Sequence, residues 1–271
     1  PVTGLPLIYT YDDEVIKTDQ GVASDEPFTP HTGTLDPRID WCIGRRGIPF
    51  LDWGVHVGFN WISQQLTSGP FSMIKSVAPQ SQPQMTENFS KAVNETLIRF
   101  ADVLLWAAEV EVEIGSLPKA EEYVNMVRAR AANPEGFVYK YTDDNNPLAG
   151  VSNTPAANYK IGLYTGQFAA LGQGYARDAV RFERKIELAM ENHRFYDLQR
   201  WDNGTGYMAD AINGFLEYED KIPNYQMEEG ALYRSGKHFI KGKNEVFPIP
   251  QAQIDLSNTA DGPTLVQNPG Y

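Results

Sequence analysis

Residues 94–131 read NETLIRFADVLLWAAEVEVEIGSLPKAEEYVNMVRARA, and within them Ile98, Ala101, Leu105, Ala108 and Val112 recur at the alternating spacing of an amphipathic helix. Gly115 ends that pattern. Ser116 stands where it can cap a second helix, and Pro118 falls in the first turn, where a backbone N–H is not needed. Ala120, Val124, Val127 and Ala131 form the inner stripe of this second helix. Helices joined by so short a turn pack antiparallel.

This hairpin resembles one tetratricopeptide unit, with Trp106 and Tyr123 as bulky wedges, but no second copy follows at a period of about 34 residues. A lone unit cannot cover its own apolar faces. Further helices are therefore expected on the N-terminal side. The chain starts at Pro1 without an initiator Met, so a processed or truncated segment is expected, with any export signal or lipid-anchor cysteine upstream.

Outward from the hairpin the pattern changes. Residues 1–87 are rich in Gly, Pro, Ser, Thr, Asp and Gln and predict long ordered loops with brief strands or turns, the kind of segment that tends to carry function. Residues 134–175 return to loop chemistry. A third helix is predicted over about 176–192 with an inner stripe of Ala179, Phe182, Ile186 and Ala189, continuing through residues 193–201 into a short helical stretch. A fourth is predicted over about 205–220; Val246-Phe247-Pro248-Ile249-Pro250 is extended, and a helical turn follows from Gln251. The expected fold is mainly α: tetratricopeptide-like helix pairs with long ordered loops and little strand. The whole of 1–271 reads as one domain, divided into a loop-rich ligand-facing segment (1–87), the hairpin (88–133), a loop insertion (134–175), and helices with an extended tail (176–271).

Composition excludes several classes. A formal charge of −12 over 271 residues repels nucleic-acid phosphates and anionic lipid headgroups and favours neutral or cationic ligands. The single cysteine, Cys42, rules out an internal disulfide and a cysteine zinc cage, and no apolar run approaches the ~18 residues of a membrane helix. Gly-x-Ser-x-Gly, His-Glu-x-x-His and Gly-x-x-x-x-Gly-Lys motifs are absent. A hydrolase is the rival class, but among 35 acidic residues no pair is singled out as a glycosidase dyad.

No metal or cofactor is expected. Glu183, Glu187 and Glu191 recur every four residues, but His193 follows Glu191 by only two, which puts the side chains on different faces. Ion pairing is the better reading, with Arg184 and Arg194 along the helix or with Arg99 and Arg128 across helices. Asp143-Asp144-Asn145-Asn146 offers oxygens for calcium but lacks the Gly and distal Glu of an EF-hand, so a turn is expected. The histidines, His31, His56, His193 and His238, are scattered.

In three separated places the sequence is similar to the SusD/RagB family. The first is Leu35-Asp36-Pro37-Arg38-Ile39-Asp40-Trp41 with Gly44-Arg45 and Asp52-Trp53-Gly54; the second is the hairpin; the third runs from Phe182-Glu183-Arg184-Lys185-Ile186-Glu187-Leu188-Ala189 through Arg194-Phe195-Tyr196-Asp197-Leu198 and Arg200-Trp201 to Phe247-Pro248-Ile249-Pro250 and Gln267-Asn268-Pro269-Gly270-Tyr271. The resemblance implies the C-terminal half of a lipid-anchored, non-enzymatic receptor. Such a receptor sits on the outer face of the outer membrane of Bacteroidetes-type bacteria. It binds oligosaccharides or polysaccharides, or in some members peptides, and hands them to a SusC-like TonB-dependent transporter. The membrane would be reached only through an anchor outside this segment.

Sugar capture needs a flat ring against the C–H face of a pyranose and planar groups for its hydroxyls. Trp53, Trp61 and Trp41, with Arg45, Arg46, Asp52 and His56 near them, are the candidate ligand-binding residues, and Tyr11 beside Asp12 and Asp13 is a further platform. Trp41 and Arg38 also belong to the shared scaffold motif, which favours a structural role. Trp106 and Trp201 lie on helical stripes and are expected in the core. A second functional reading makes this half chiefly a scaffold that docks on the transporter.

Overall fold

A computed structural model describes residues 3–10, 15–82, 96–220 and 236–271. It is mainly helical, and the chain divides into two compact units, Pro1–His193 and Arg194–Tyr271. In the first, short α1 (Ile39–Cys42) and α2 (Gln65–Ser68) lie within the loop-rich segment, where β1 (Ile43–Gly44) pairs antiparallel with β2 (Ser72–Met73). The hairpin follows as α3 (Phe100–Ile114) and α4 (Leu117–Ala132). Then β3 (Tyr139–Tyr141) pairs antiparallel with β4 (Val151–Pro155), and α5 (Gln167–Glu187) packs on both hairpin helices.

The hairpin stripes are buried as the spacing predicts: Leu105, Ala108 and Val112 of α3 meet Ala120, Val124 and Val127 of α4, joined by Tyr164 and by Phe168, Ala176, Ala179 and Val180 of α5. Each fully buried Val or Leu here contributes on the order of 1.5–3 kcal/mol. Ile98 departs from the stripe; it lies before the first turn and is exposed. The reading of Ser116 as a side-chain cap is also corrected. Its side chain makes no capping hydrogen bond, and its N–H donates instead to Glu111 Oε2 at 2.8 Å.

α5 begins well before the predicted position 176. Gly172 adopts φ 85° inside it and joins two helical stretches across a kink. The first stretch is capped from α4: the carboxylate of Glu121 accepts the N–H groups of Gly166 (2.6 Å) and Phe168 (2.9 Å). The inner face also differs from the expected stripe. After Ala176, Ala179 and Val180 it becomes charged, with Glu183, Arg184 and Glu187 buried while Phe182 and Ile186 are only half-buried.

Those charges hold the loop segment to the helices. Arg38 donates to Asp36 (2.7 Å), Glu183 (2.6 Å) and Glu187 (2.9 Å). Arg128 of α4 pairs with Glu183 at 2.7 Å and donates to the carbonyls of Gly162 (2.7 Å) and Gly4 (2.8 Å). Those two strands of backbone touch so closely that a β-carbon on Gly4 would lie 2.5 Å from Gly162 N, and one on Gly162 would lie 2.4 Å from Thr3 O. Arg99 reaches Glu187 and Glu191, Lys75 reaches Glu191, and Arg184 pairs with Asp102 at 2.7 Å. Ion pairing with the loop segment and the hairpin, Arg99 and Arg128 included, is thus what Glu183, Glu187 and Glu191 provide.

The second unit contains α6 (His193–Asp202, its first residue at the division), α7 (Tyr207–Asp220), α8 (Gln251–Leu256) and a tight pairing of β5 (Asn258–Thr259) with β6 (Gly262–Pro263). Asp202 links α6 to α7 by accepting the N–H groups of Gly204 (3.1 Å) and Met208 (2.8 Å). The extended tail is held by the last motif of the chain: Gln267 exchanges hydrogen bonds with the Ile249 backbone, both at 2.8 Å, and Asn268 donates to Phe247 O at 2.6 Å. No helix among the described residues is long and apolar enough to cross a membrane.

Candidate functional site

Residues 50–55 form a tight turn. Phe50 N–H donates to Gly54 O (2.9 Å) and Trp53 N–H to Phe50 O (3.0 Å), with Leu51 held at φ 53°. Tyr141 of β3 fixes the turn from the side: its hydroxyl lies 3.0 and 3.1 Å from the carbonyl oxygens of Leu51 and Gly54 and accepts Gly54 N–H at 3.3 Å. Residues 78–81 fix it from the other direction. Trp53 donates its indole N–H to Ala78 O (2.9 Å), and Asp52 accepts the N–H groups of Gln80 (2.5 Å) and Ser81 (2.8 Å). Burial would raise the Asp52 carboxyl, but the Ser81 and Gln80 donors outweigh it and hold the group below the usual carboxylate range.

Trp61 closes a 3-10 turn, Phe59–Trp61, and its ring stands edge-on to Phe50 (5.9 Å between centroids) and His56 (5.2 Å). A β-carbon on Gly54 would lie 3.8 Å from Trp61 Cη2 and 3.9 Å from Pro147 Cγ, so turn, indole and the 143–149 loop converge. Trp53 and Trp61 are nevertheless 38% and 42% exposed. They are anchored at one edge and open to solvent over part of the ring.

The other candidates occupy different settings. Trp41 is 44% exposed and anchored apart from this turn, donating its indole N–H to Gly136 O at 2.7 Å. Arg45 is buried, with its guanidinium paired in parallel to Asp40 at 2.6 and 2.9 Å, and Asp40 also accepts the Tyr159 hydroxyl at 2.6 Å. Arg46 is half-buried and donates to the carbonyls of Ala23, Ser24 and Glu26. Both guanidiniums therefore brace loops, a use that residue type alone does not distinguish from ligand capture. Tyr11 lies outside the described residues.

His56 is 1% exposed. Its Nδ1 accepts Gly58 N–H (3.0 Å), so Nε2 carries the proton toward Ser72 Oγ (2.8 Å), and burial pushes its pKa from 6.5 down to about 4. The unfolded chain then binds more protons between those values, so stability rises with pH across this window and is lost on acidification. Urea unfolding at pH 5 should give about 2 kcal/mol less stability than at pH 7, at ~1.4 kcal/mol per pH unit below 6.5. A His56→Gln variant should lose most of that slope; an unchanged slope would assign the pH dependence to other groups.

Two tryptophans expected in the core are not sealed there. Trp106 is 37% exposed, with the Arg184 guanidinium 5.7 Å from its ring, and Trp201 is half-buried beneath Arg200 at 4.9 Å. The 143–146 stretch is a turn, in which Asp143 Oδ1 accepts Asn145 N–H at 2.9 Å, and among the described residues no three His, Cys, Asp or Glu side chains cluster as metal ligands. Sequence reasoning missed Tyr141 and Pro147 as parts of the site; the one available signal was the Tyr139-Lys140-Tyr141 alternation ahead of an Asn-Pro turn.

This architecture can be compared with known proteins. A SusD-like protein P25 from Formosa agariphila is 35% identical over 188 residues, 69% of this chain and 27% of that protein. A SusD homolog from Bacteroides thetaiotaomicron matches 87% of this chain and 41% of its own at 24% identity and TM-score 0.50. A SusD superfamily protein from Bacteroides vulgatus matches 87% and 40% at 21% identity and TM-score 0.47. The chain thus spans well under half the length of each of these relatives. The SusD family profile matches residues 7–271, nearly the whole sequence, and with the helical scaffold and the curated relative this settles the assignment: the chain belongs to the SusD family.

Proposed function

We propose that this chain supplies a glycan-capturing surface, centred on Trp53 and Trp61, in an outer-membrane nutrient-uptake protein. The family's general role is glycan-binding nutrient uptake by proteins that bind and do not catalyse. The supporting observation is the pair of anchored, part-exposed indoles beside the Asp52 carboxylate. Each ring is fixed at one edge, by the Ala78 carbonyl or by Phe50 and His56, so little side-chain freedom remains to be lost when a pyranose stacks. Asp52, already oriented by backbone donors, can accept a sugar hydroxyl. In this reading the captured oligosaccharide or polysaccharide passes to a SusC-like TonB-dependent transporter. The protein is held on the outer face of the membrane by a lipid anchor outside this segment.

The test is titration calorimetry of the full-length protein against a panel of plant and algal polysaccharides and peptides. Replacing Trp53→Ala and Trp61→Ala together should weaken glycan binding at least tenfold, since buried aromatic anchors carry upward of ~2 kcal/mol each. Circular dichroism should be unchanged. Undiminished affinity in the folded double variant would move the ligand site elsewhere and leave this face as a docking scaffold. Binding confined to peptides would assign the protein to the peptide-binding members.

A further inference from the structure

Resting on the glycan reading above, we infer that the Trp53–Trp61 surface selects uncharged sugars and rejects uronic-acid and sulfated ones. Acidic groups border it, and among the described residues Arg45 and Arg46 are committed elsewhere. Asp52 sits in the turn itself, and its N–H donors keep it ionised. Pro147, whose Cγ would lie 3.9 Å from a β-carbon on Gly54, follows the run Asp143-Asp144-Asn145-Asn146, whose four side chains are all exposed. The Tyr141 hydroxyl, hydrogen-bonded to the turn, lies within the fields of both Asp52 and Asp144.

Among the described residues, the cationic candidates of this segment are held in other contacts. Arg45 is buried against Asp40, and Arg46 is turned to the carbonyls of residues 23–26. His56 is neutral above pH about 4. Lys140 is exposed on β3, beside the buried Tyr141 that meets the turn. A carboxylate or sulfate arriving on the indoles would meet carboxylates without the bidentate guanidinium that anionic sugars call for.

The experiment uses the full-length protein and a matched pair: the neutral polysaccharide that binds best from xyloglucan, glucomannan, arabinoxylan and laminarin, and its own carboxymethyl derivative. At 20 mM NaCl the derivative should bind at least about tenfold more weakly, and the gap should narrow at 1 M NaCl, where the screening length falls to ~3 Å. Asp143→Asn with Asp144→Asn, which keeps the turn-forming oxygens, should also narrow it and leave neutral binding unchanged. Equal or tighter binding of the derivative, lost in the Trp53→Ala, Trp61→Ala protein, would overturn the inference while keeping the glycan surface. A gap indifferent to salt and to the aspartate changes would be steric and would overturn it too. Failure of every polymer to bind would remove the surface itself, and the inference with it.

Discussion

Replacing Glu183 by alanine should cost the fold about 3–5 kcal/mol, the range for breaking a buried ion pair by removing one partner. Glu183 is inaccessible to solvent and accepts from Arg38 at 2.6 Å on one oxygen and from Arg128 at 2.7 Å on the other. Arg38 keeps Asp36 and Glu187, but Arg128, 1% exposed, is left with the carbonyls of Gly4 and Gly162 and no carboxylate of its own. The melting temperature should fall by roughly 6–20 °C at the ~2–4 °C per kcal/mol expected for a unit of this size. Glu113→Ala is the control. Its partner Arg177 is on the surface, and the loss there should stay below about 1 kcal/mol. If the two variants melted alike, the buried network would not be what fastens the loop segment to α5.

Phe168→Ala should be nearly as costly, about 3–5 kcal/mol. The ring is fully buried, 4.9 Å from Tyr164 and 6.2 Å from Tyr175 between centroids, and lies in the stretch of α5 before the Gly172 kink. The backbone cap from Glu121 survives the substitution, so the loss measures packing alone. Phe168→Leu keeps most of the volume and should lose less than about 1.5 kcal/mol. Hydrogen exchange should localise the alanine effect to residues 167–171 at low denaturant. A loss under 1 kcal/mol would show that the helix start is anchored by its cap and not by the ring.

These expectations also mark where the sequence was legible. The hairpin was readable because Leu105, Ala108, Val112, Ala120, Val124 and Val127 keep helical spacing even with Asp102, Glu121 and Arg128 buried among them. α5 was misread because its interior face carries Glu183, Arg184 and Glu187. A stripe rule assigns such residues to solvent and promotes Phe182 and Ile186 in their place. Its true start was hidden by Gly172 and by a cap that comes from α4, 47 residues upstream of Phe168. The β3–β4 hairpin offered only Tyr139 and Tyr141 on one face, too short a period to read. In the site, residue type showed which side chains can stack or pair. It could not show that Arg45 folds back on Asp40, that His56 is sealed, or that Tyr141 braces a turn 87 residues before it.

The reach of the buried charges bears on how the molecule is made. Arg38 and Glu183 are 145 residues apart in sequence. At ~5–20 residues per second, the ribosome delivers that acid on the order of 10 s after the base. Until then the guanidiniums of Arg38 and Arg128 have no Glu183 to meet, so the N-terminal loops cannot set early and wait. They take their final shape only after α5 has been synthesised, which makes this unit's maturation dependent on chain closure over long distance.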